Sequence, residues 1–349
     1  MSVVLITGSC GLVGSEASKF FCEKGFDVIG VDNNYRKYFF GQDGDTNWVK
    51  KKLVKKYKNY LHFNYDIQNF SALEKIFRKY KKSIKLIIHS AAQPSHDLAK
   101  LLPLIDFKVN AYSTLNLLEL TKKYCPDSPF IHMSTNKVYG DNPNNLPLNE
   151  KRTRWDLNKK HKFVNGIDET MSIDQCTHSL FGVSKSYADL AVQEYGKNVG
   201  LKTACFRAGC ITGPTHSGAK LHGFLSYLVK SCIKKKSYNV IGYKGKQVRD
   251  NIHSHDLIKC FWNYFQKPRI GEVYNIGGGI MSNCSVMEAL ETVELLTNRK
   301  IKKNYIKKNR VGDHIWYVSN TNKFKKHYPK WKQTYNNLKI IEELVDNFN

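Results

Sequence analysis

The run Ser2–Asp32, SVVLITGSCGLVGSEASKFFCEKGFDVIGVD, decides the fold. Its first part, SVVLIT, is short, apolar and rich in β-branched residues, as suits a parallel strand buried on both faces. Gly8-Ser9-Cys10-Gly11-Leu12-Val13-Gly14 follows, then a helical pattern through SEASKFFCEKG and a second strand, DVIGVD, ending at Asp32. Strand, glycine turn, helix and strand within about 30 residues make a βαβ unit. Without Cβ atoms the turn can be tight, and the backbone can approach a pyrophosphate at the helix N-terminus, where free N–H groups and the helix dipole favour an anion. Asp32 stands where a carboxylate accepts hydrogen bonds from ribose hydroxyls, and its charge repels a 2′-phosphate, so the pattern favours NAD over NADP. Arg36 and Lys37, close behind, keep NADP open. A glycine pattern alone is weak evidence, because an ordinary strand-to-helix turn also uses glycine; the strand–helix context and the terminal acid carry the reading. The candidate cofactor contacts in this run and just beyond it are Gly8, Cys10, Gly11, Leu12, Val13, Gly14, Asp32 and Asn33.

Outward from this unit, strands and helices keep alternating. LHFNYD ends at Asp66-Ile67, KLIIHSAAQ enters a turn of small residues, and STLNLLELTKKY reads as an amphipathic helix before the strand PFIHMST. SYADLAVQEYGKNVG reads as a helix with a glycine stop, followed by the strand KTACFR. The expected fold is α/β: a doubly wound parallel sheet of Rossmann type with a smaller C-terminal α/β substrate lobe. The dinucleotide domain is expected over residues 1–207 and 251–275, interleaved with a substrate lobe over 208–250 and 276–349. In that lobe HSGAKLHGFLSYLVKSCIKKK, SVMEALETVELLTNR and NLKIIEELVDNFN read as helices. Ligands in such sheets bind beyond the carboxyl ends of the strands. That places Gly8, Asp32, Asp66, Ala91–Gln93, Ser134–Asn136 and the chain from Arg207 onward at one edge.

Composition bounds the remaining choices. The chain has 349 residues, 41% hydrophobic, enough for a sizeable core. No apolar run of about 18 residues suggests a membrane span, and MSVVLITGS lacks a basic leader, so a cytoplasmic protein is expected. Nine scattered cysteines without a CxxC pair fit reduced thiols, with no metal site. Fifty-five Lys plus Arg against 30 Asp plus Glu give +25. The lysines are spread along the whole chain and no nucleic-acid-binding signature accompanies them. The charge therefore reads as a solvated surface that helps gather an anionic small molecule, with no nucleic-acid partner.

The spacing G-x-x-G-x-x-G after Thr7 resembles the extended short-chain dehydrogenase/reductase superfamily, and further motifs extend the likeness along almost the whole chain. Asp66-Ile67 resembles its adenine-contacting pair, and His89-Ser90-Ala91-Ala92, with Gln93, its turn beneath the nicotinamide side. Asn110 resembles the start of its N-x-x-G-T-x-N helix, Ser134–Asp141 its S-[ST]-x-x-V-Y-G block, and Phe206-Arg207 with Gly213-Pro214 its F-R…G-P segment. STNKVYGD, GIDET, HSLFGVSK, GKQVRD and YNIGGG together resemble the branch of NAD-dependent nucleotide-sugar epimerases that invert C2 of CDP-linked dideoxyhexoses. The resemblance implies a cofactor site that also includes Lys185 and Arg207. It implies a nucleotide-diphosphate sugar, CDP-linked by preference, held by Thr135, Asn136, His178, His222, Arg249, Arg310 and Asp313, and a homodimer packed through the helix after Phe181.

Within HSLFGVSKS the superfamily has a tyrosine acid/base four residues before Lys185; here the position is Phe181. Inverting a carbinol carbon requires removing a hydride, turning the flat ketone and returning the hydride to its other face, while a protein group carries the hydroxyl proton. Ser134 or Thr135 can hydrogen-bond the sugar oxygen and Lys185 can tune the site, but Phe181 cannot move a proton. Three readings stay open: the phenylalanine is a deliberate replacement of tyrosine that traps a substrate, another group moves the proton, with Tyr139, Lys137, His178 and Cys176 the nearby candidates, or the chain binds without turnover. The catalytic corner is expected at Ser134, Thr135, Phe181 and Lys185. A 4-epimerase or dehydratase is the other enzyme reading, and Asn136-Lys137, where dehydratases resemble an Asp-Glu pair, disfavours elimination.

Overall fold

A computed structural model describes residues 2–216, 223–309 and 312–348. Seven parallel strands form the large sheet, in the order Glu272–Ile276, Thr203–Ala208, Phe130–Thr135, Ile84–His89, Val3–Thr7, Asp27–Val31, Tyr60–Phe63. All five residues of Val3–Thr7 are buried, as a central parallel strand requires. The period-2 rule divides them between two cores. Val4 and Ile6 pack with Ala17, Phe21 and Phe261 on one face, while Val3 and Leu5 pack with Leu73, Leu117 and Val192 on the other. Helix Leu12–Glu23 and helix Ser254–Gln266 cover the first face, with Phe21 and Phe265 in edge-on contact at 5.7–6.2 Å from Phe26 and from each other. Helix Leu180–Lys197 contributes Val192 to the second.

Val3–Thr7 pairs with Asp27–Val31 on one side and with Ile84–His89 on the other, so chain direction around the sheet reverses there. A crevice opens at such a reversal, beyond the strand ends.

A second sheet joins Asn283–Ser285, Val248–His253 and Trp316–Tyr317, with Cys210–Thr212 on Val248–His253. Tyr238–Ile241 and Lys303–Ile306 make a separate parallel pair. Helices Phe224–Ile233, Val286–Thr297 and Asn337–Phe348 share a core of Leu225, Leu228, Leu290, Ile341 and Leu344. Two stretches cross the boundaries expected from sequence. Phe324, Tyr328 and Trp331 pack into the large sheet's core with Phe206, whereas Tyr139, Phe163 and Ile167 join Val248, Trp316 and Val318 on the smaller side. Apolar rings pack wherever a face is left open, whatever their order in the chain. Helix Ser113–Tyr124 also begins earlier than its periodicity indicates, through a π-helical turn at Lys108–Tyr112. Of the helix expected over HSGAKLHGFLSYLVKSCIKKK, the described part is Phe224–Ile233.

Candidate active site

A cavity of about 480 Å³ opens where the large sheet reverses, roofed by the smaller lobe. Gly8 turns the chain with φ +68°, and a Cβ on it would lie 2.7 Å from the Ala91 nitrogen. Its N–H donates to Val31 O at 2.8 Å, and Gly11 N–H donates back to Gly8 O at 3.0 Å. The helix starts at Leu12, capped by Gly11 with no side-chain acceptor, and Gly8, Gly11, Leu12, Val13 and Gly14 all line the cavity. These bare helix-terminal N–H groups fit a pyrophosphate. Asp32 lines the same end; one carboxylate oxygen accepts Cys10 N–H at 2.9 Å and the other accepts Asn34 N–H at 2.7 Å. Burial pushes the Asp32 carboxyl up, and those two N–H groups restrain it. Asn33, Ile67, Ala91 and Ala92 complete the surface for a dinucleotide. Arg36 is also in the cavity wall, while Lys37 turns away to pair with Asp45 at 3.2 Å.

Several expected contacts are absent from the cavity wall. Cys10 contributes only its backbone: its thiol is buried near Ser9 and His62, and burial pushes it up to about 12. Asp66 turns its carboxylate to Gln68 N–H at 2.8 Å, leaving Ile67 as the pair's cavity residue. Gln93 and Asn110 are locked to each other, Gln93 N–H to Asn110 Oδ1 at 2.9 Å and Asn110 Nδ2 to Gln93 O at 3.0 Å. They hold the Ala91-Ala92 turn from behind. Arg207, expected at the cofactor, is buried in a two-pronged ion pair with Asp189, at 3.0 and 2.7 Å, because a buried guanidinium needs a carboxylate.

The expected catalytic residues do converge. Ser134, Thr135, Phe181 and Lys185 line one region of the cavity. Strand Phe130–Thr135 delivers the first two, and helix Leu180–Lys197, capped by Ser179, delivers the others one turn apart. Ser134 donates its hydroxyl to Asp189 at 2.5 Å, whereas Thr135 Oγ1 accepts Lys137 N–H at 3.2 Å and donates only a long bond to Asn136 Oδ1 at 3.4 Å, so Thr135 is the hydroxyl more readily turned to a substrate. Phe181 is 6% exposed. Lys185 donates to Met133 O at 2.8 Å, and burial lowers its pKa to about 8 against the pull of Asp189. The imidazoles of His89 and His132, both pushed down by burial, form a neutral layer beneath it.

Of the substitute acid/base candidates, only Lys137 lines the cavity. Tyr139 is fully buried, donating to Asn275 Oδ1 at 2.7 Å. His178 is held on Val138 O at 2.8 Å, and Cys176 lies behind it. Sequence reasoning passed over His96, whose ring lies 4.9 Å from the Phe181 ring in the cavity wall. The only local signal was the Ser95 cap that starts its helix.

At the far end Asn136, Arg249 and Asp313 line the cavity. Arg249 pairs with Asp313 at 2.6 Å, and Lys137 donates to Gly312 O at 2.9 Å. His222 and Arg310 lie outside the described residues. Among the described residues, no helix is long and apolar enough to cross a membrane, and no group of three or more His, Cys, Asp or Glu is placed to hold a metal.

A lysine with its folded pKa depressed to about 8 destabilises the fold while both states are protonated, and that penalty is relieved as pH rises from 8 towards the unfolded value. Replacing Lys185 with methionine is therefore expected to stabilise the NAD-free chain at neutral pH, by a margin that shrinks between pH 8 and about 10.5. Denaturant midpoints of both forms across that range check it; a constant difference would refute it.

The fold and this cavity define a dinucleotide-binding protein of the doubly wound class. The chain belongs to the NAD dependent epimerase/dehydratase family, matched over residues 4–277. It is 31% identical over 299 residues to the CDP-paratose 2-epimerase of Salmonella typhi, covering 83% of each chain. It is 28% identical over 308 residues to the UDP-glucuronate 4-epimerase of Thermodesulfobacterium geofontis, covering 88% of this chain and 84% of that one. Among solved structures, UDP-glucose 4-epimerase of Thermotoga maritima with UDP-glucose superposes with TM-score 0.78 at 23% identity, covering 99% of this chain and 98% of that one. UDP-glucuronic acid 4-epimerase of Bacillus cereus, in complex with UDP-glucuronic acid and NAD, gives 0.79 at 21%, with the same coverage. At these identities the superpositions establish the fold.

Proposed function

We propose that the chain is an NAD-dependent nucleotide-sugar epimerase acting at sugar C2 through a transient ketone, with a CDP-linked sugar as substrate. One observation carries the reading: a single cavity joins the glycine turn and Asp32 to the Thr135–Phe181–Lys185 corner and, beyond it, to Arg249. NAD held along the turn would supply the hydride chemistry, accepting a hydride from the sugar carbon and giving it back. The chain holds the pyrophosphate on Gly11–Gly14 and the ribose on Asp32, and steadies the sugar oxygen with Thr135. Arg249 receives the nucleotide diphosphate, which a guanidinium can grip with two N–H groups, and Asp313 lies towards the nucleoside. The preference for C2 and for CDP rests on the relative that acts on CDP-paratose. The buried ring of Phe181 favours one other reading, a chain that binds NAD and nucleotide sugar without turnover. The test is to measure bound NAD in the purified protein, then to offer CDP-paratose, UDP-glucose, UDP-glucuronate and dTDP-glucose and resolve the sugars formed. Inversion at C2 of the CDP-sugar supports the reading; binding with no product from any of them supports the silent one.

The reading includes a cytoplasmic homodimer. Leu180, Val183, Tyr187 and Leu190 recur along helix Leu180–Lys197 and are 40–50% exposed, beside Leu101, Leu104, Phe107 and Tyr112. A contiguous apolar face of this kind marks an interface. Val183→Glu with Leu104→Glu is expected to convert a dimer into monomers in sedimentation; an unchanged mass would refute this interface.

A further inference from the structure

We propose that His96 is the acid/base of this site, taking over the proton transfer that Phe181 cannot perform; the inference rests on the epimerase reading. Both rings line the cavity, with centroids 4.9 Å apart and planes tilted by 57°. The imidazole thus sits at van der Waals distance from the ring that the superfamily's tyrosine would provide. Its position is fixed from two sides. Ser95 caps the helix His96–Leu101 by accepting Leu98 N–H, and His96 Nδ1 lies 2.8 Å from Ser179 Oγ. Ser179 Oγ already accepts Gly182 N–H at 3.1 Å as the cap of the helix that carries Phe181 and Lys185. One hydroxyl therefore ties the histidine to the helix bearing the other catalytic groups.

The arrangement suits a proton carrier. A serine oxygen has two lone pairs, so it can accept Nδ1–H as well as Gly182 N–H, and it can do so whether the imidazole is neutral or protonated. In the tautomer that donates Nδ1–H to Ser179, the proton-accepting lone pair of the ring is the one on Nε2. In the forward step this nitrogen would take the sugar O–H proton while the hydrogen on the same carbon leaves with its electron pair, for which a bound nicotinamide would be the acceptor, and the carbinol becomes a ketone. In the return step the electron pair and hydrogen come back to the opposite face as the imidazolium returns its proton to the oxygen, so the sugar is inverted with no net oxidation. The other groups near Phe181 are less suited. Tyr139 and His178 are engaged outside the cavity, Ser134 is held by Asp189, and Lys137, in the cavity wall, donates its ammonium to Gly312 O at 2.9 Å.

The experiment compares four forms of the full NAD-loaded chain on the same four nucleotide sugars: unchanged, His96→Gln, Phe181→Tyr, and His96→Gln with Phe181→Tyr. The unchanged chain is expected to turn over, and His96→Gln to lose about 10²–10⁴-fold in kcat, the usual worth of general acid/base catalysis, while still binding NAD and sugar. Adding Phe181→Tyr to His96→Gln is expected to restore most of the loss, because a phenol beside Lys185 supplies the missing proton site. If His96→Gln fails to bind NAD, His96→Asn replaces it. Turnover by His96→Gln within about threefold of the unchanged chain would overturn the proposal and leave the epimerase reading standing. So would an idle unchanged chain that becomes active as Phe181→Tyr. Inactivity of all four forms on all four sugars would refute both.

Discussion

Replacing Asp189 with alanine is expected to cost the fold about 3–5 kcal/mol, because it leaves the Arg207 charge buried without its partner. Asp189 is fully buried and Arg207 nearly so. The carboxylate accepts two N–H groups of Arg207, at 3.0 and 2.7 Å, the Ser134 hydroxyl at 2.5 Å and Gln193 Nε2 at 2.8 Å. Burial alone would raise its pKa; the guanidinium and these donors reverse that and hold it below the usual carboxylate range. A loss of this size is a large share of the roughly 5–15 kcal/mol that holds a domain together. The denaturant midpoint of the variant should fall accordingly. Asp189→Leu combined with Arg207→Met should recover most of the loss, since an apolar pair of similar volume often matches a buried ion pair. A single variant within about 1 kcal/mol of the unchanged chain would contradict the account. The same network reaches the site: without Asp189, Ser134 loses its acceptor and its hydroxyl is released beside Thr135.

What the sequence made legible was local, and what it hid was tertiary. The turn Gly8–Gly14, its helix and Asp32 lie close in sequence, and backbone sterics fix their relation, so the Asp32 carboxylate does close on Cys10 N–H. Thr135 was legible because parallel strands in this fold all end at one edge, whereas Phe181 and Lys185, on a helix, were legible only through the resemblance of HSLFGVSKS to the superfamily's tyrosine–lysine pair. Arg207 was misplaced because its position at a strand end gave no sign of Asp189, on a helix eighteen residues earlier, which captures it. Gln93 and Asn110 were read as cofactor contacts for the same reason; amides seventeen residues apart satisfy each other once both are buried. His96 gave no periodic or motif signal, and only the packing of its short helix against helix Leu180–Lys197 brings it beside Phe181.

Gly14→Ala is expected to abolish useful NAD binding. A Cβ at this position would lie 2.1 Å from Gly8 O, 2.7 Å from Gly8 C and 2.8 Å from Ser9 Cα. All three are backbone atoms of the turn itself, so no side chain can swing aside, and the turn or the first helical residues must move. Either shift carries the N–H groups of Leu12 and Val13 away from the pyrophosphate they are placed to hold, and an anion bound at a helix N-terminus depends on that geometry. Losing two such charge-assisted hydrogen bonds at about 1.5 kcal/mol or more each corresponds to a Kd at least about 100-fold weaker. Because a ligand stabilises a fold in proportion to the logarithm of its concentration over Kd, the rise in Tm that NAD gives the unchanged chain should vanish in the variant at the same NAD concentration. The NAD-free variant should also melt lower, since the displaced turn packs against Ala91 and the end of the neighbouring strand. An unaltered NAD-dependent shift would mean that the dinucleotide lies somewhere other than on this turn.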